Sequence, residues 1–285
     1  MRITRAIRGT RSRLAIAGAG LAVVAAVALP SQLAFAHTVS SPAASGGPKP
    51  TIVLVHGAWA DSGSWNAVTA ILQKAGYTVD APPNPLMGLR YDSATIADFL
   101  HTITGPIVLV GHSYGGAVIT NAATGDSQVK ALVYDDAFIP AKGETLVDLT
   151  KPGSCFAVPD LTKVFNFVPF PGAPSGVADA YVKQSVFPRC FANGLPASEG
   201  AVLAATQRPL ATSALMDKSR VPAWKTIPSW AVIGTNDHVI TPAEQLFMAH
   251  RAHARITTIP APHLSMISNP AVVASVIIRA AHTNS

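Results

Sequence analysis

The stretch PIVLVGHSYGGA, residues 106–117, places a serine between an apolar run and a glycine-rich segment. A continuous apolar run such as 106–110 is typical of a strand that is covered on both faces, as in a parallel sheet. The glycines two positions before and after Ser113 allow this strand and a following helix to approach closely. The stretch therefore predicts a strand–turn–helix unit with Ser113 at the turn, where its hydroxyl group is a candidate nucleophile.

Further apolar runs flank this unit and alternate with segments of helical periodicity. Besides 106–110, the predicted strands are 51–55, 77–79, 129–134, 230–234 and 255–259. The predicted helices are 64–74, with Ser64 as its N-terminal cap, 91–102, 117–123, 242–253 and 270–281. Such alternation predicts an α/β fold with a doubly wound, mostly parallel six-stranded sheet.

The alternation is interrupted once, by about 90 residues between Phe138 and Pro228. This segment is dense in proline, glycine and phenylalanine, and it is far longer than an ordinary α/β connection. We expect it to form a cap over the carboxyl edge of the sheet. Elsewhere no glycine/serine-rich or charge-rich linker divides the chain, so residues 51–285 are predicted to form one domain with a cap insertion at about 138–228.

A serine hydroxyl needs a base, and the base needs an orienting acid. His263 follows the last predicted strand, and Asp237 follows the fifth, so both belong to the same edge of the sheet as Ser113. The chain order serine, acid, histidine is that of hydrolases with this strand–turn–helix unit. Asp135 and Asp136 end the fourth strand and remain alternatives for the acid.

The negative charge that forms on an attacked carbonyl oxygen needs two backbone N–H donors. One is expected from Tyr114, directly after the candidate nucleophile, and the other from Ala58 in the loop after the first strand. Trp59 and Trp65 are candidates for lining an acyl pocket, with packing in the core as the alternative.

The first 36 residues differ in character from the rest of the chain. Five arginines lie within residues 2–13, the apolar run 14–29 follows, and Ala34-Phe35-Ala36 has the small-residue pattern of a cleavage site. This organisation predicts a secretory signal peptide that is removed after Ala36. The alternative is a transmembrane anchor, but the run has 16 residues, whereas a bilayer span needs about 20. Residues 37–50, rich in serine, proline and glycine, are predicted to be a flexible lead-in.

The formal net charge of +6 depends on this leader. Its removal deletes five arginines and no acidic residue, which leaves 16 of the 21 basic side chains against 15 acidic ones. A mature chain so close to neutrality, without a basic run that contains aromatic residues, excludes nucleic acid as an expected partner. We expect a secreted protein with no stable membrane anchor after cleavage.

Cys155 and Cys190 are the two cysteines of the chain, and both lie within the predicted cap. In an oxidising compartment they are expected to form a disulfide, with two buried free thiols as the alternative. Two distant cysteines are too few for a zinc site, and His250 and His253 lack a third ligand. The sequence therefore predicts no metal site.

Four segments together resemble bacterial α/β-hydrolases, and within that superfamily plant methylesterases and hydroxynitrile lyases. They are HGAW at 56–59, GHSYGG at 111–116, GTND at 234–237 and PHLSM at 262–266. The resemblance covers nearly all of the mature chain and is least specific in the cap. It implies an α/β-hydrolase fold, a catalytic triad and two oxyanion donors, which map onto Ser113, Asp237, His263, Ala58 and Tyr114.

Two positions distinguish the chemistries within this group. The lyases carry a threonine where Gly57 stands and a lysine where Leu264 stands, so this chain is expected to be an esterase. A serine nucleophile also excludes relatives that attack with a carboxylate, such as dehalogenases. We expect a small-molecule ester as substrate, an acyl-enzyme intermediate and no cofactor. The alternatives are lyase-like carbon–carbon cleavage on the same triad, or a ligand-binding protein without catalysis.

Overall fold

The computed structural model describes residues 48–283 of the chain. The predicted signal peptide and most of the predicted lead-in lie outside these residues. No helix in the described part combines the length and the apolar character that crossing a bilayer requires.

The described residues form nine strands in two sheets. In chain order the strands are β1 (Thr51–Val55), β2 (Val79–Asp80), β3 (Ile107–His112), β4 (Val129–Asp135), β5 (Phe165–Val168), β6 (Asp179–Val182), β7 (Leu210–Ala211), β8 (Ser229–Gly234) and β9 (Arg255–Ile259). The larger sheet has the order β2-β1-β3-β4-β8-β9, and all of its neighbouring strands are parallel. The predicted six-stranded parallel sheet is confirmed.

The described helices are α1 (Asn66–Lys74), α2 (Leu89–Leu100), α3 (Tyr114–Ala122), α4 (Leu146–Leu149), α5 (Ala197–Thr206), α6 (Ser213–Met216), α7 (Pro242–Arg251), α8 (Ser265–Ser268) and α9 (Pro270–His282). Helices α1 and α9 pack against each other, and α9 also contacts β3, β4 and β8, while α2 packs against α3. Strands β3 and β8 are buried along their full length because helices cover the sheet. This explains their uninterrupted apolar sequences.

Several predicted boundaries differ from the structure, among them the start of α3, which begins at Tyr114 and not at Ala117, and two others differ for identifiable reasons. The first helix begins as a 3-10 turn at Ser62, and its cap is Asp61, whose Oδ1 accepts from the Gly63 N–H at 2.7 Å, rather than Ser64. Strand β2 starts at Val79 and not at Tyr77. The Tyr77 N–H donates to the Leu72 carbonyl at 3.1 Å, so this amide closes the end of α1 and is lost to the sheet.

The segment for which we predict a cap lies between β4 and β8. It contains α4, α5, α6 and the smaller antiparallel sheet, whose order is β5-β6-β7. The disulfide between Cys155 and Cys190 is present in this segment.

The connections out of β1 and β3 run in opposite directions, since β1 leads to β2 on one side and β3 leads to β4 on the other. In an open parallel sheet, such a reversal leaves a crevice at the carboxyl ends of the two strands. The loop 56–59 and Ser113 follow these two strand ends directly. The topology therefore brings the candidate site residues to one crevice.

Candidate active site

Ser113 occupies a strained turn between β3 and α3. Its backbone has φ 51° and ψ −121°, a combination that residues with a side chain rarely adopt. The Ser113 N–H donates to the Asp135 carbonyl at 3.2 Å, and its own carbonyl accepts from the Phe138 N–H at 3.1 Å. The end of β4 thus holds the turn in a conformation that presents the hydroxyl group to the crevice.

The glycines around Ser113 are required by close approach of the backbone. A Cβ at Gly111 would lie 2.5 Å from the Gly115 carbonyl oxygen, and a Cβ at Gly115 would clash with the Val55 carbonyl oxygen of β1. A Cβ at Gly57 would lie 2.8 Å from the Cβ of Ser113. Any side chain at these positions would push apart the loop after β1 and the turn after β3.

Ser113, His263 and Asp237 form one hydrogen-bonded chain. The Ser113 hydroxyl lies 3.0 Å from His263 Nε2, and His263 Nδ1 lies 2.8 Å from Asp237 Oδ2. The three side chains are buried. This is the geometry in which an imidazole, held by a carboxylate, can take a proton from a serine hydroxyl.

Further donors fix the Asp237 carboxylate. Its Oδ1 accepts from the N–H groups of Val239 at 2.7 Å and Ile240 at 3.0 Å, and its Oδ2 accepts from the Gln245 side-chain amide at 2.7 Å. Gln245 lies on α7 and also donates to the Ile240 carbonyl. The carboxylate therefore cannot rotate away from His263 without breaking several hydrogen bonds.

The alternative acids have other partners. Asp135 Oδ1 accepts from the Ser265 hydroxyl at 2.7 Å, and Asp136 Oδ1 accepts from the Gly234 N–H at 2.6 Å. Burial raises the pKa of Asp135 to about 7, and burial together with the charges of Asp135 and Asp237 raises the pKa of Asp136 well above its usual value. The hydrogen bond from His263 Nδ1 goes to Asp237 alone among these three acids.

Two buried histidines brace the site as neutral side chains. His112 is next to Ser113, and its Nε2 lies 2.9 Å from the His263 carbonyl oxygen. Burial lowers the pKa of His112 well below the usual value, so the neutral ring donates this hydrogen bond from Nε2. Burial also lowers the pKa of His56 to about 4. His56 Nδ1 lies 2.8 Å from the Gly57 carbonyl oxygen, and Nε2 accepts from the Asn84 N–H at 2.9 Å, so the proton is assigned to Nδ1.

The two expected oxyanion donors lie at the same crevice as Ser113. Ala58, Tyr114 and Ser113 all line one cavity. Tyr114 is the first residue of α3, so its N–H has no acceptor within the helix. Its side chain is held in place because the phenol donates to Asp92 on α2 at 2.5 Å.

Four positioning residues carry no recognisable signal in the sequence. Gln245 binds Asp237, Asp92 binds Tyr114, and Asn84 binds His56. Arg208, from the predicted cap, donates to the Asn84 carbonyl at 2.9 Å and lies 3.3 Å from His56 Nε2. Asp92, Asn84 and Arg208 bind partners at least 22 residues away in the chain, and Gln245 binds Asp237 from a helix that begins after the loop, eight residues away. A short motif therefore does not reveal these contacts.

A cavity of about 400 Å³ reaches Ser113, and its walls are largely apolar. Of the described side chains that line it, none carries a formal charge. Trp59 lines this cavity, whereas Trp65 is fully buried in the core. Within residues 48–283, no three histidine, cysteine or acidic side chains are grouped so that they could hold a metal ion.

The predicted cap contacts the loop that carries the acid. The Cys155 N–H donates to the His238 carbonyl at 2.8 Å, and the Asn193 side chain donates to the Asn236 carbonyl at 2.8 Å. The ring of Phe191 lies edge-on to the ring of His263, with centroids 5.1 Å apart. The segment that carries the disulfide is therefore part of the wall around the candidate base.

The sequence matches known proteins over most of its length. Residues 52–276 match the model of the Alpha/beta hydrolase family. The carbendazim hydrolyzing esterase of Nocardioides sp. (strain SG-4G) is 36% identical over 110 residues, which are 34% of this chain and 46% of that protein. The pyrethroid hydrolase of Sphingobium wenxiniae is 32% identical over 114 residues, 36% of this chain and 41% of that protein. The matched part spans less than half the length of these two relatives.

The fold is also found among solved structures. A methylesterase from Arabidopsis superimposes with a TM-score of 0.65 over 82% of this chain and 99% of its own, at 17% sequence identity. At this level of identity the similarity concerns the fold.

Proposed function

Because the chain belongs to the alpha/beta hydrolase family, we propose that it is a secreted serine hydrolase that cleaves carboxylic esters of small to medium size. The single observation that carries the proposal is the hydrogen-bonded chain from the Ser113 hydroxyl through His263 to Asp237. The two curated relatives named as an esterase and a hydrolase support the same reaction class.

The first half of the reaction forms an acyl-enzyme. His263 Nε2 takes the Ser113 proton while Oγ bonds to the ester carbonyl carbon, and the carbonyl oxygen becomes an oxyanion that accepts from the Ala58 and Tyr114 N–H groups. The bond between this carbon and the alcohol oxygen then breaks. The alcohol leaves with the proton from His263, and Asp237 stays ionised throughout.

The second half restores the enzyme. A water molecule gives a proton to His263 as its oxygen bonds to the acyl carbon, and a second oxyanion forms at the same two N–H groups. The bond from the acyl carbon to Ser113 Oγ breaks, and His263 returns the proton to Ser113. The carboxylic acid product leaves, and the cycle needs neither a metal nor a cofactor.

The cavity supports an uncharged, apolar acyl group as the substrate. The described side chains around it offer apolar and aromatic surface. None of them is a cation that could neutralise a carboxylate elsewhere on the acyl group. An ester with a charged acyl group would lose its hydration there without a compensating partner.

Two residues favour an esterase over a lyase. Gly57 provides no hydroxyl group and the buried Leu264 provides no ammonium group, whereas the lyases have both at these positions.

Secretion is supported by two features of different origin. The first 36 residues have the organisation of a signal peptide. The Cys155–Cys190 disulfide is of a kind that persists in oxidising compartments and is rare in the cytosol.

The proposal is tested with Ser113→Ala and p-nitrophenyl butyrate. We expect kcat/KM to fall by about 10⁶-fold with an unchanged circular dichroism spectrum, because the nucleophile is lost while the fold is kept. The matched control is Ser93→Ala, since Ser93 is a buried serine that donates to the Val118 carbonyl and does not line the cavity that reaches Ser113. Retained turnover in Ser113→Ala would refute the assignment.

The alternatives give different results in two further assays. A fluorophosphonate probe labels an activated serine, so unlabelled wild-type protein that binds an ester tightly would identify a binding protein. Cyanide release from mandelonitrile without ester hydrolysis would identify a lyase.

A further inference from the structure

A second cavity, of about 360 Å³, is also lined by Trp59. Trp59 is the one residue shared by the described linings of this cavity and of the cavity that reaches Ser113. It directly follows Ala58, one of the two proposed oxyanion donors. The space around the nucleophile and a second space of similar size therefore both border on this side chain.

Trp59 is held rigidly between the two cavities. Its indole N–H donates to the Ala180 carbonyl of β6 at 2.8 Å. Its ring centroid lies 5.0 Å from that of Phe156, 5.4 Å from Phe165 and 5.7 Å from Phe191. Its backbone has φ 56°, an unfavourable value for a residue with a side chain, which these contacts maintain. The ring is therefore a fixed wall.

One side of the second cavity is apolar, whereas its other side carries polar groups that include the carboxylates of Asp61 and Glu199. Phe187, Phe191, Leu203, Leu264 and Ile267 give it an apolar side, and Leu264 adjoins His263 in the chain. Polar side chains, among them Asp61 and Gln207, complete its lining. A chain that passed the position of Trp59 would find apolar surface there.

We propose that Trp59 determines substrate size by closing the acyl cavity, so that the enzyme takes acyl groups that fit the smaller space beside Ser113. This inference rests on the proposed ester hydrolysis and adds its specificity-determining residue. Replacement of the indole by a smaller side chain would join the two cavities, nearly doubling the space open to the acyl group.

The test compares p-nitrophenyl butyrate with p-nitrophenyl dodecanoate. The measured quantity is the ratio of kcat/KM for the long ester to that for the short ester, which cancels a general loss of activity. In Trp59→Leu we expect this ratio to rise at least about tenfold, because discrimination by a hydrophobic pocket is commonly of this size. Trp59→Phe keeps a ring in the aromatic cluster and is expected to raise the ratio less, and it serves as the second variant if Trp59→Leu does not fold.

Two variants show whether the gain comes from the second cavity. Leu203→Trp, added to Trp59→Leu, fills that cavity and is expected to lower the ratio again. The matched control is Trp224→Leu, because Trp224 also donates its indole N–H to a backbone carbonyl, that of Pro140, and lines neither cavity. It is expected to leave the ratio unchanged.

The outcomes separate this inference from the proposed function. Wild-type protein that hydrolyses neither ester would refute the proposed function and the inference with it. Wild-type turnover with an unchanged ratio in the folded Trp59 variants would refute the inference alone. A ratio that rises but is insensitive to Leu203→Trp would also refute it, since the extra space would then lie elsewhere.

Discussion

Three carboxyl groups, those of Asp135, Asp136 and Asp237, lie close together behind the candidate base. Their environments differ: Asp237 has four hydrogen-bond donors, whereas the Oδ2 atoms of Asp135 and Asp136 have no partner among the described residues. Burial disfavours a charge that is poorly solvated by its surroundings. The aspartates next to the site are therefore held as neutral acids over part of the ordinary pH range.

Asp135 should make stability depend on pH. Burial raises its pKa to about 7 in the folded protein, whereas the unfolded chain releases this proton near pH 4. Between these values the folded state binds more protons than the unfolded state, so stability falls as the pH rises through this window. Asp135→Asn imitates the protonated acid, and we expect its melting temperature to fall less than that of wild type between pH 5 and pH 8.

The control for this measurement is Asp148→Asn. The pKa of Asp148 is lowered by hydrogen bonds from Thr145, so this carboxylate is ionised in both states across the same window. The variant should keep the wild-type difference between pH 5 and pH 8. If the melting temperature of Asp135→Asn fell between pH 5 and pH 8 by as much as that of wild type, Asp135 would not retain its proton in the folded state.

At the residue scale, the sequence predicts the role of a side chain where the neighbouring residues in the chain indicate it. Ser113 stands between glycines, and His263 and Asp237 each follow an apolar strand, so order along the chain is informative. Arg208 reaches its partners across the fold, Gln245 reaches Asp237 from the next helix, and both lie in segments of ordinary composition. Their roles become visible only when the helices and the cap are in place.

At the scale of elements, the disulfide joins two parts of the predicted cap that both contact the loop of Asp237. Cys155 donates its N–H to the His238 carbonyl, and Asn193, three residues after Cys190, donates to the Asn236 carbonyl. Ser154 adds a hydrogen bond of 2.6 Å to the Val239 carbonyl. The cross-link thus restrains the segments that hold the loop of Asp237.

Removal of the cross-link should lower stability markedly. The two cysteines are 35 residues apart, and a closed loop of this length stabilises a fold by about 3–4 kcal/mol in the chain-entropy description. In Cys155→Ala/Cys190→Ala we expect a melting temperature about 10 °C below that of wild type. Differential scanning fluorimetry measures this directly.

A reductant provides the matched comparison. Dithiothreitol should lower the melting temperature of wild type towards that of the double variant and leave the double variant unchanged. A wild-type protein that is insensitive to full reduction, verified by thiol titration, would contradict the stabilising role.

Elements of the large sheet are predictable because burial on both faces leaves long apolar runs, as in 107–110 and 230–233. The strands of the smaller sheet are not. Strand β5 has one buried and three exposed residues, and β7 has two residues in all, so neither shows a period that indicates a strand. Contacts with other parts of the cap, such as the pairing of Phe165 with Val182, define them instead.

At the scale of the whole molecule, many basic residues cluster at the N-terminus, in the part that cleavage of the predicted signal peptide would remove. Five of the 21 basic side chains lie within residues 2–13, in the predicted signal peptide. The match to the family model covers residues 52–276, which lie entirely after this segment. The predicted export signal and the proposed catalytic residues thus lie in separate stretches of sequence.

Expression of the full chain in an exporting bacterial host tests this division. We expect the protein in the oxidising compartment to begin at His37, as found by intact mass and N-terminal sequencing, because Ala34-Phe35-Ala36 matches a cleavage site. Replacement of Ala34 and Ala36 by leucine should block processing and leave the longer chain with the cells. Exported protein that still contains residues 1–36 would contradict the predicted cleavage.

The contacts of Arg208 and Asn193 with the loops of Ala58 and Asp237 have a consequence for the divergence of this protein. The predicted cap would choose the substrate, yet it also contacts the loop of Ala58 through His56 and the loop of Asp237 through Asn236. A mutation that adapts the predicted cap to a new ester keeps the activity only where it leaves the hydrogen bonds of Arg208 and Asn193 intact. Selection for new substrates should therefore accumulate changes at wall residues such as Val147 and Met216, while the supporting residues stay fixed.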